Sequence, residues 1–154
     1  MTPYIGVCGA GLASARVEDL RAAEEVGRLV AAAGGIVVCG GLGGVMEAAC
    51  RGATGAGGVA VGLLPGADRN TANPFVSVAI PTGMGELRNG LIVRTADAVI
   101  AIGGEWGTLS EIALALKAGT PVVGLGTWDL GRPEIEVAPD AESAVSRALA
   151  LART

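Results

Sequence analysis

Short apolar runs that end in glycine, most of them followed by an amphipathic helix, constrain this chain more than any other feature. Tyr4–Cys8 ends at Gly9-Ala10-Gly11 and leads to a helical pattern over Val17–Ala33. In that stretch Leu20, Val26, Leu29 and Val30 form the apolar stripe, and Gly34-Gly35 stops it. Ile36–Cys39 runs into Gly40-Gly41-Leu42-Gly43-Gly44 and a helix over Val45–Ala56. Val59–Leu63 breaks at Leu64-Pro65-Gly66, and a polar loop covers residues 64–74. Phe75–Ile80 reads as the fourth strand, Met84–Ala96 as helix and Ala98–Ile102 as the fifth strand. Gly103–Gly107 turns the chain into a helix over Thr108–Ala118, Val122–Leu125 is the sixth strand, and Ala141–Ala152 is the last helix, with Asp140 at its N-cap. Residues 126–139 read as irregular: a surface connection, a lid or a dimer contact.

Strand runs without polar alternation are buried on both faces, as in parallel sheets. Alternating strands and helices then give a doubly wound, Rossmann-like α/β sheet, mostly parallel, with helices on both faces. No repeat or linker divides the chain, so residues 1–154 are expected to form a single domain.

Composition removes much chemistry. There is no His, and Lys117 is the only Lys among 11 basic residues. A Ser-His-Asp triad, a Cys-His dyad and a His-ligated zinc are therefore excluded, and no metal site is expected. Positive charge comes almost wholly from Arg, so an anion site must be built from Arg and backbone N–H groups. A net charge of −4 and only four aromatic residues argue against a nucleic-acid surface. Cys8, Cys39 and Cys50 have no CxxC spacing and read as reduced core thiols. With no signal peptide and no long apolar span, a cytoplasmic protein without membrane contact is expected.

In doubly wound sheets, ligands bind at the carboxyl edge near the topological switch point. Three glycine-rich turns mark that edge: Gly9 and Gly11; Gly40, Gly41, Gly43 and Gly44; and Gly103, Gly104 and Gly107. Each opens a helix whose N-terminus favours an anion, although glycine also simply permits tight turns. The first loop approximates GxGxxG with Ser14 in the third glycine place. No acidic residue ends the second strand, which disfavours a dinucleotide, and no P-loop lysine is present. The densest constellation is Arg88, Thr108 and Glu111. Thr108 reads as an N-cap with Glu111 at capping-box spacing, or else Glu111 faces a ligand. Trp106 either packs on a helix or a dimer mate, or stacks on a flat ligand. Lys117 suits the dipole at its helix C-terminus.

These residues resemble the LOG-type (Lonely Guy) family of Rossmann proteins over roughly residues 4–125. Gly103-Gly104-Glu105-Trp106-Gly107-Thr108-Leu109-Ser110-Glu111 is similar to the family's PGGxGTxxE segment, and Gly40–Glu47 to its earlier glycine-rich segment. Arg88 falls where the family has an Arg-Lys pair. The resemblance implies hydrolysis of the N-glycosidic bond of nucleoside 5′-monophosphates, with Arg88 and Glu111 as the catalytic pair and the glycine loops and Thr108 holding the phosphate. Here Gly103 replaces the motif's Pro, Glu105 a Gly, Ser110 a Glu and Asn89 the Lys. A shorter branch fits better; it includes proteins similar to molybdenum-cofactor carriers. The expected ligand is thus a nucleoside monophosphate or molybdopterin, the latter as cargo, bound by a homodimer. A nucleotide-sensing interaction module is a third reading. Lysine decarboxylation is excluded, because Lys117 has a helix-terminal role and no pyridinium partner is evident.

Overall fold

The computed structural model describes residues 1–152; Arg153 and Thr154 lie outside the described residues. Seven strands form one sheet in the order β4-β3-β2-β1-β5-β6-β7, every pair parallel. They are β1 (Tyr4–Gly9), β2 (Ile36–Cys39), β3 (Val59–Leu64), β4 (Val78–Pro81), β5 (Ala98–Ile102), β6 (Val122–Leu125) and β7 (Ile135–Val137). The helices are α1 (Val17–Ala32), α2 (Val45–Gly55), α3 (Asn89–Thr95), α4 (Trp106–Ala118) and α5 (Ala141–Ala152). The doubly wound α/β expectation is met.

Both faces of the central strands are buried, and side-chain alternation splits them between two cores. Ile5 and Val7 of β1 with Ile100 and Ile102 of β5 face α1, α2 and α5. Cys8, Val99 and Ala101 face the other way, onto Val93 of α3 and Ile112 and Ala115 of α4. α1 and α2 cross at backbone contact. A Cβ on Gly27 would lie 2.0 Å from the Ala49 carbonyl oxygen, and one on Gly52 1.9 Å from that of Glu24. Two mid-helix glycines, unfavourable by propensity, are there because nothing larger fits.

The structure departs from the sequence reading where side chains compete with periodicity. The fourth strand starts at Val78 rather than Phe75. Asn73 accepts from the Phe75 N–H at 3.0 Å and donates to the Leu42 carbonyl at 2.9 Å, which holds Phe75 in a turn. Pro81 is tolerated in β4 because that strand is the sheet edge. The helix expected over Met84–Ala96 is split into a 3-10 turn, Gly85–Arg88, and α3. Residues 126–139 are not wholly irregular; Ile135–Val137 pairs with β6 as β7. Asp140 caps α5 as expected, accepting from the Ser143 N–H at 2.8 Å. Asp97 accepts from the Tyr4 N–H at 2.8 Å and fixes the start of β1.

Candidate functional site

β2 lies to one side of β1 and β5 to the other, so the switch point falls between β1 and β5. A cleft of about 490 Å³ opens there. Its walls are the end of β1 and the turn after it (Cys8, Gly9, Gly11), Trp106, Gly107, Thr108, Ser110 and Glu111 of α4 with Glu105 before them, Leu42 and Met46 after β2, and Glu86, Arg88 and Asn89 before and in α3. That size suits a small organic ligand.

Arg88 forms the cleft's most constrained wall. Its guanidinium is buried and donates through Nε to the Leu63 carbonyl at 2.8 Å, through Nη2 to the Gly40 carbonyl at 3.5 Å, and through Nη1 to Asn89 Oδ1. Two strand ends, β2 and β3, thus present carbonyl oxygens to one cation. Gly40 has no room for a side chain because a Cβ there would lie 2.5 Å from Arg88 Nη2. Asn89 continues the chain of bonds: its Nδ2 donates to Ser110 Oγ at 3.2 Å, and Ser110 donates to the Gly107 carbonyl at 2.7 Å. This network ties the start of α3 to the start of α4. Burial pulls the Arg88 guanidinium down from its usual range, while the Glu111 carboxylate opposes the shift.

Glu111 is 7% exposed, and burial pushes its carboxyl up to about 7; the charge of Arg88 and a hydrogen bond with the Cys8 thiol act in the opposite direction. The same burial, with the neighbouring Glu111, raises the Cys8 thiol well above its usual range. At neutral pH Glu111 therefore sits near half protonation, facing a cleft.

The capping-box expectation fails. α4 begins two residues earlier than expected, at Trp106, with Glu105 at the N-cap and no side-chain cap. Its first backbone bond runs from the Leu109 N–H to the Glu105 carbonyl at 2.9 Å. The N–H groups of Trp106, Gly107 and Thr108 precede that bond and are the helix's free donors. Thr108 is then a buried helical residue, 2% exposed, and its Oγ1 has no hydrogen-bond partner in the structure. Gly104 (φ +113°) brings the backbone against it: a Cβ there would lie 2.5 Å from Thr108 Oγ1. A buried hydroxyl without a partner beside three free N–H groups suits an acceptor-rich group.

Of the glycines singled out in the sequence, Gly9, Gly11 and Gly107 line the cleft together with Arg88, Thr108 and Glu111. Gly40 lies beneath Arg88, Gly41 against Leu64, and Gly43 and Gly44 against the Ala10–Leu12 loop. Gly103 abuts Asp19, and Gly103 and Gly104 border a second groove with Arg16 and Asp19. Cys8, Met46, Glu86 and the linking role of Ser110 were not legible as site residues. A lone thiol at a strand end and a serine on a helix carry no distinctive pattern. All three thiols are buried, with Cys39 and Cys50 Sγ atoms 3.4 Å apart. Among the described residues, no cluster could hold a metal ion and no helix is long and apolar enough to cross a membrane.

Comparison with known proteins places the fold. The chain matches the SLOG cluster4 family over residues 2–152 and belongs to it, which bears out the resemblance to LOG-type proteins. It is 47% identical over 121 residues to an uncharacterized protein of Archaeoglobus fulgidus, covering 79% of this chain and 78% of that one. The molybdenum cofactor binding protein of Rippkaea orientalis is 37% identical with a TM-score of 0.92, covering 98% of each chain. The molybdenum cofactor carrier protein of Chlamydomonas reinhardtii is 36% identical, also with a TM-score of 0.92, over 100% of each chain.

Proposed function

We propose that this SLOG-family chain is a carrier that binds molybdenum cofactor as cargo in the cleft at the β1/β5 switch point. The orphan Thr108 hydroxyl at the start of α4 carries the reading. Beside the free N–H groups of Trp106, Gly107 and Thr108, it is a seat for the terminal phosphate of a pterin. Gly11, Leu42 and Met46 offer a mostly apolar wall for the ring system. The similarity to the two cofactor-binding proteins supports the cargo's identity.

Binding rather than turnover is favoured by the state of the Arg88–Glu111 pair. Arg88 spends donors on the Leu63 and Gly40 carbonyls and on Asn89, so it stiffens the wall. The test is to purify the chain natively, denature it and identify the released small molecule by mass spectrometry, then follow decay of added cofactor with and without the protein. A bound pterin and slowed decay are expected. No pterin together with unaltered decay overturns the reading.

A second reading, N-glycosidic hydrolysis of nucleoside 5′-monophosphates, is favoured by one observation: a buried carboxyl with a pKa of about 7 faces the cleft. Such a group is half ionised at neutral pH, and its carboxylate form stabilises an oxocarbenium-like ribose. Release of ribose 5-phosphate from a panel of nucleoside monophosphates, abolished by Glu111→Gln, is the expected signature of that activity. A homodimer located in the cytoplasm belongs to either reading.

A further inference from the structure

Cys39 and Cys50 meet in the core beneath the loop that forms one wall of the cleft. Cys39 closes β2, and Cys50 lies in α2, one helical turn after Met46 and on the same face. Their Sγ atoms are 3.4 Å apart. Both belong to the core on the α1/α2 side of the sheet, whereas Cys8 points to the opposite side.

Two small apolar residues packed against each other need no polar neighbours. Each of these has a donor aimed at its sulfur. The Gly41 N–H donates to Cys39 Sγ at 3.4 Å, and the Asn73 side-chain amide reaches Cys50 Sγ at 3.7 Å. N–H groups at a sulfur favour its thiolate form. The bond between the two thiols divides their roles. It pulls the Cys50 thiol below its usual range, with help from Asn73 and against burial and Glu47. The same bond, with burial, holds the Cys39 thiol well above its range. Cys50 is thus the nucleophile and Cys39 the partner that keeps its proton. Cys50 is also one side chain from solvent. Asn73, which touches it, is partly exposed, and residues 66–71 before it are exposed. A surface loop of this kind opens at low cost, and displacing Asn73 uncovers the sulfur to a water-sized molecule.

We propose that Cys39 and Cys50 are a redox modification site: a hydroperoxide oxidises them to a disulfide, which loosens the adjoining wall of the cleft. The Cys50 thiolate attacks one peroxide oxygen and breaks the O–O bond. Cys50 becomes a sulfenic acid, and the other oxygen leaves as hydroxide, which the former Cys50 proton turns into water. Cys39 then attacks the sulfenic sulfur and forms the S–S bond. The sulfenic oxygen leaves as a second water, carrying the Cys39 proton. The two sulfurs supply both electrons, so one hydrogen peroxide gives two waters. A dithiol reverses the change by exchange.

The pair is wired to the cleft. The sulfurs must approach by about 1.4 Å to bond, which draws Cys39 from the Gly41 N–H and Cys50 from Asn73. Those two partners hold the wall. Asn73 donates to the Leu42 carbonyl from its side chain and to the Gly41 carbonyl from its backbone, each at 2.9 Å. The Gly40 carbonyl accepts from Arg88, and Leu42 and Met46 line the cleft. Oxidation therefore shifts the β2 side of the wall and weakens binding. That consequence rests on the phosphate-seat reading; the disulfide itself does not.

The test treats the native full-length chain with a small excess of hydrogen peroxide, removes the excess with catalase and alkylates with N-ethylmaleimide in denaturant. Expected results are a loss of two hydrogens in intact mass, one alkylated thiol at Cys8, and a peptide pair joined through Cys39 and Cys50. Dithiothreitol restores all three thiols. Three alkylated thiols after exposure overturn the proposal, as does oxygen added to sulfur without a cross-link. In Cys39→Ser the reaction halts at the sulfenic acid, which dimedone labels at Cys50; label at Cys8 instead, or none, overturns the order of attack. For the cleft, calorimetric titration with inorganic pyrophosphate should show severalfold weaker binding to the oxidised chain than to the reduced one. Equal affinity refutes the coupling. A reduced chain that forms the disulfide but binds no pyrophosphate would overturn the phosphate seat and leave the modification site standing.

Discussion

Replacing Glu111 by Gln tests the electrostatics of the cleft in a way independent of any ligand. Burial raises the Glu111 carboxyl from the ordinary 4.5 to about 7. The folded chain therefore holds a proton that the unfolded chain has released, and stability falls as pH rises from about 4.5 to about 7, then levels off. Moving the carboxyl from 4.5 to about 7, at ~1.4 kcal/mol for each tenfold change in proton affinity, makes that fall about 3 kcal/mol. Gln keeps the shape and cannot ionise, so Glu111→Gln removes the loss. The variant should match the wild type near pH 4.5 and exceed it by about 3 kcal/mol above pH 7.5, roughly 6–12 °C in melting temperature for a domain of this size. Calorimetry or circular-dichroism melts of both proteins across that range are the assay. Other carboxylates titrate in both proteins and cancel in the difference. A difference that is flat with pH, or a variant less stable at alkaline pH, would refute the claim that Glu111 is strained by desolvation.

Thr108→Val replaces the orphan hydroxyl by a methyl group; unfolding free energy should hold or rise by about 1 kcal/mol while phosphate-bearing ligands bind more weakly, and calorimetric titration with pyrophosphate checks it. Gly52→Ala should destabilise by roughly 1–3 kcal/mol in denaturant melts, although alanine is the better helix former, because its Cβ meets the Glu24 carbonyl oxygen at 1.9 Å. Asn89→Ala cuts the bond to Ser110 and leaves an Arg88 donor unpaired; a loss of about 1–3 kcal/mol is expected by the same measurement.

The sheet was legible because its strands are apolar runs closed by glycine, and period 2 on two buried faces leaves little else for Val99–Ile102 to do. What failed was decided by side-chain bonds that no periodicity encodes. Asn73 shortened β4 by turning Phe75, and Ile135–Val137 is too short to stand out from a loop. Arg88 and Glu111 were visible as candidate site residues through a resemblance and a helix-dipole argument, but their setting was not. Thr108 followed a glycine and preceded Glu111 by three residues, which spells a capping box. The helix instead begins two residues earlier, at Trp106, and both side chains turn inward. The loss of the cap is what leaves Thr108 Oγ1 without a partner, so the misread motif and the candidate phosphate seat are one observation.

That same shift bears on whether the cleft turns over or holds. A hydrolytic carboxylate has to be ionised when the glycosidic bond breaks, and burial leaves Glu111 only about half so at neutral pH. Hydrolysis would then rise with pH through about 7 in step with Glu111 ionisation. A carrier inverts that dependence: a second negative charge beside an anionic cargo costs affinity, so binding should strengthen as Glu111 takes up its proton below about pH 7. The two readings thus predict opposite slopes around one group. Cofactor affinity and ribose 5-phosphate release, both measured from pH 6 to 8 alongside Glu111→Gln, separate them. Tighter binding at low pH, with the pH dependence abolished in the variant, marks a carrier. Affinity that does not change with pH in the wild type would remove Glu111 from the binding step and refute the argument.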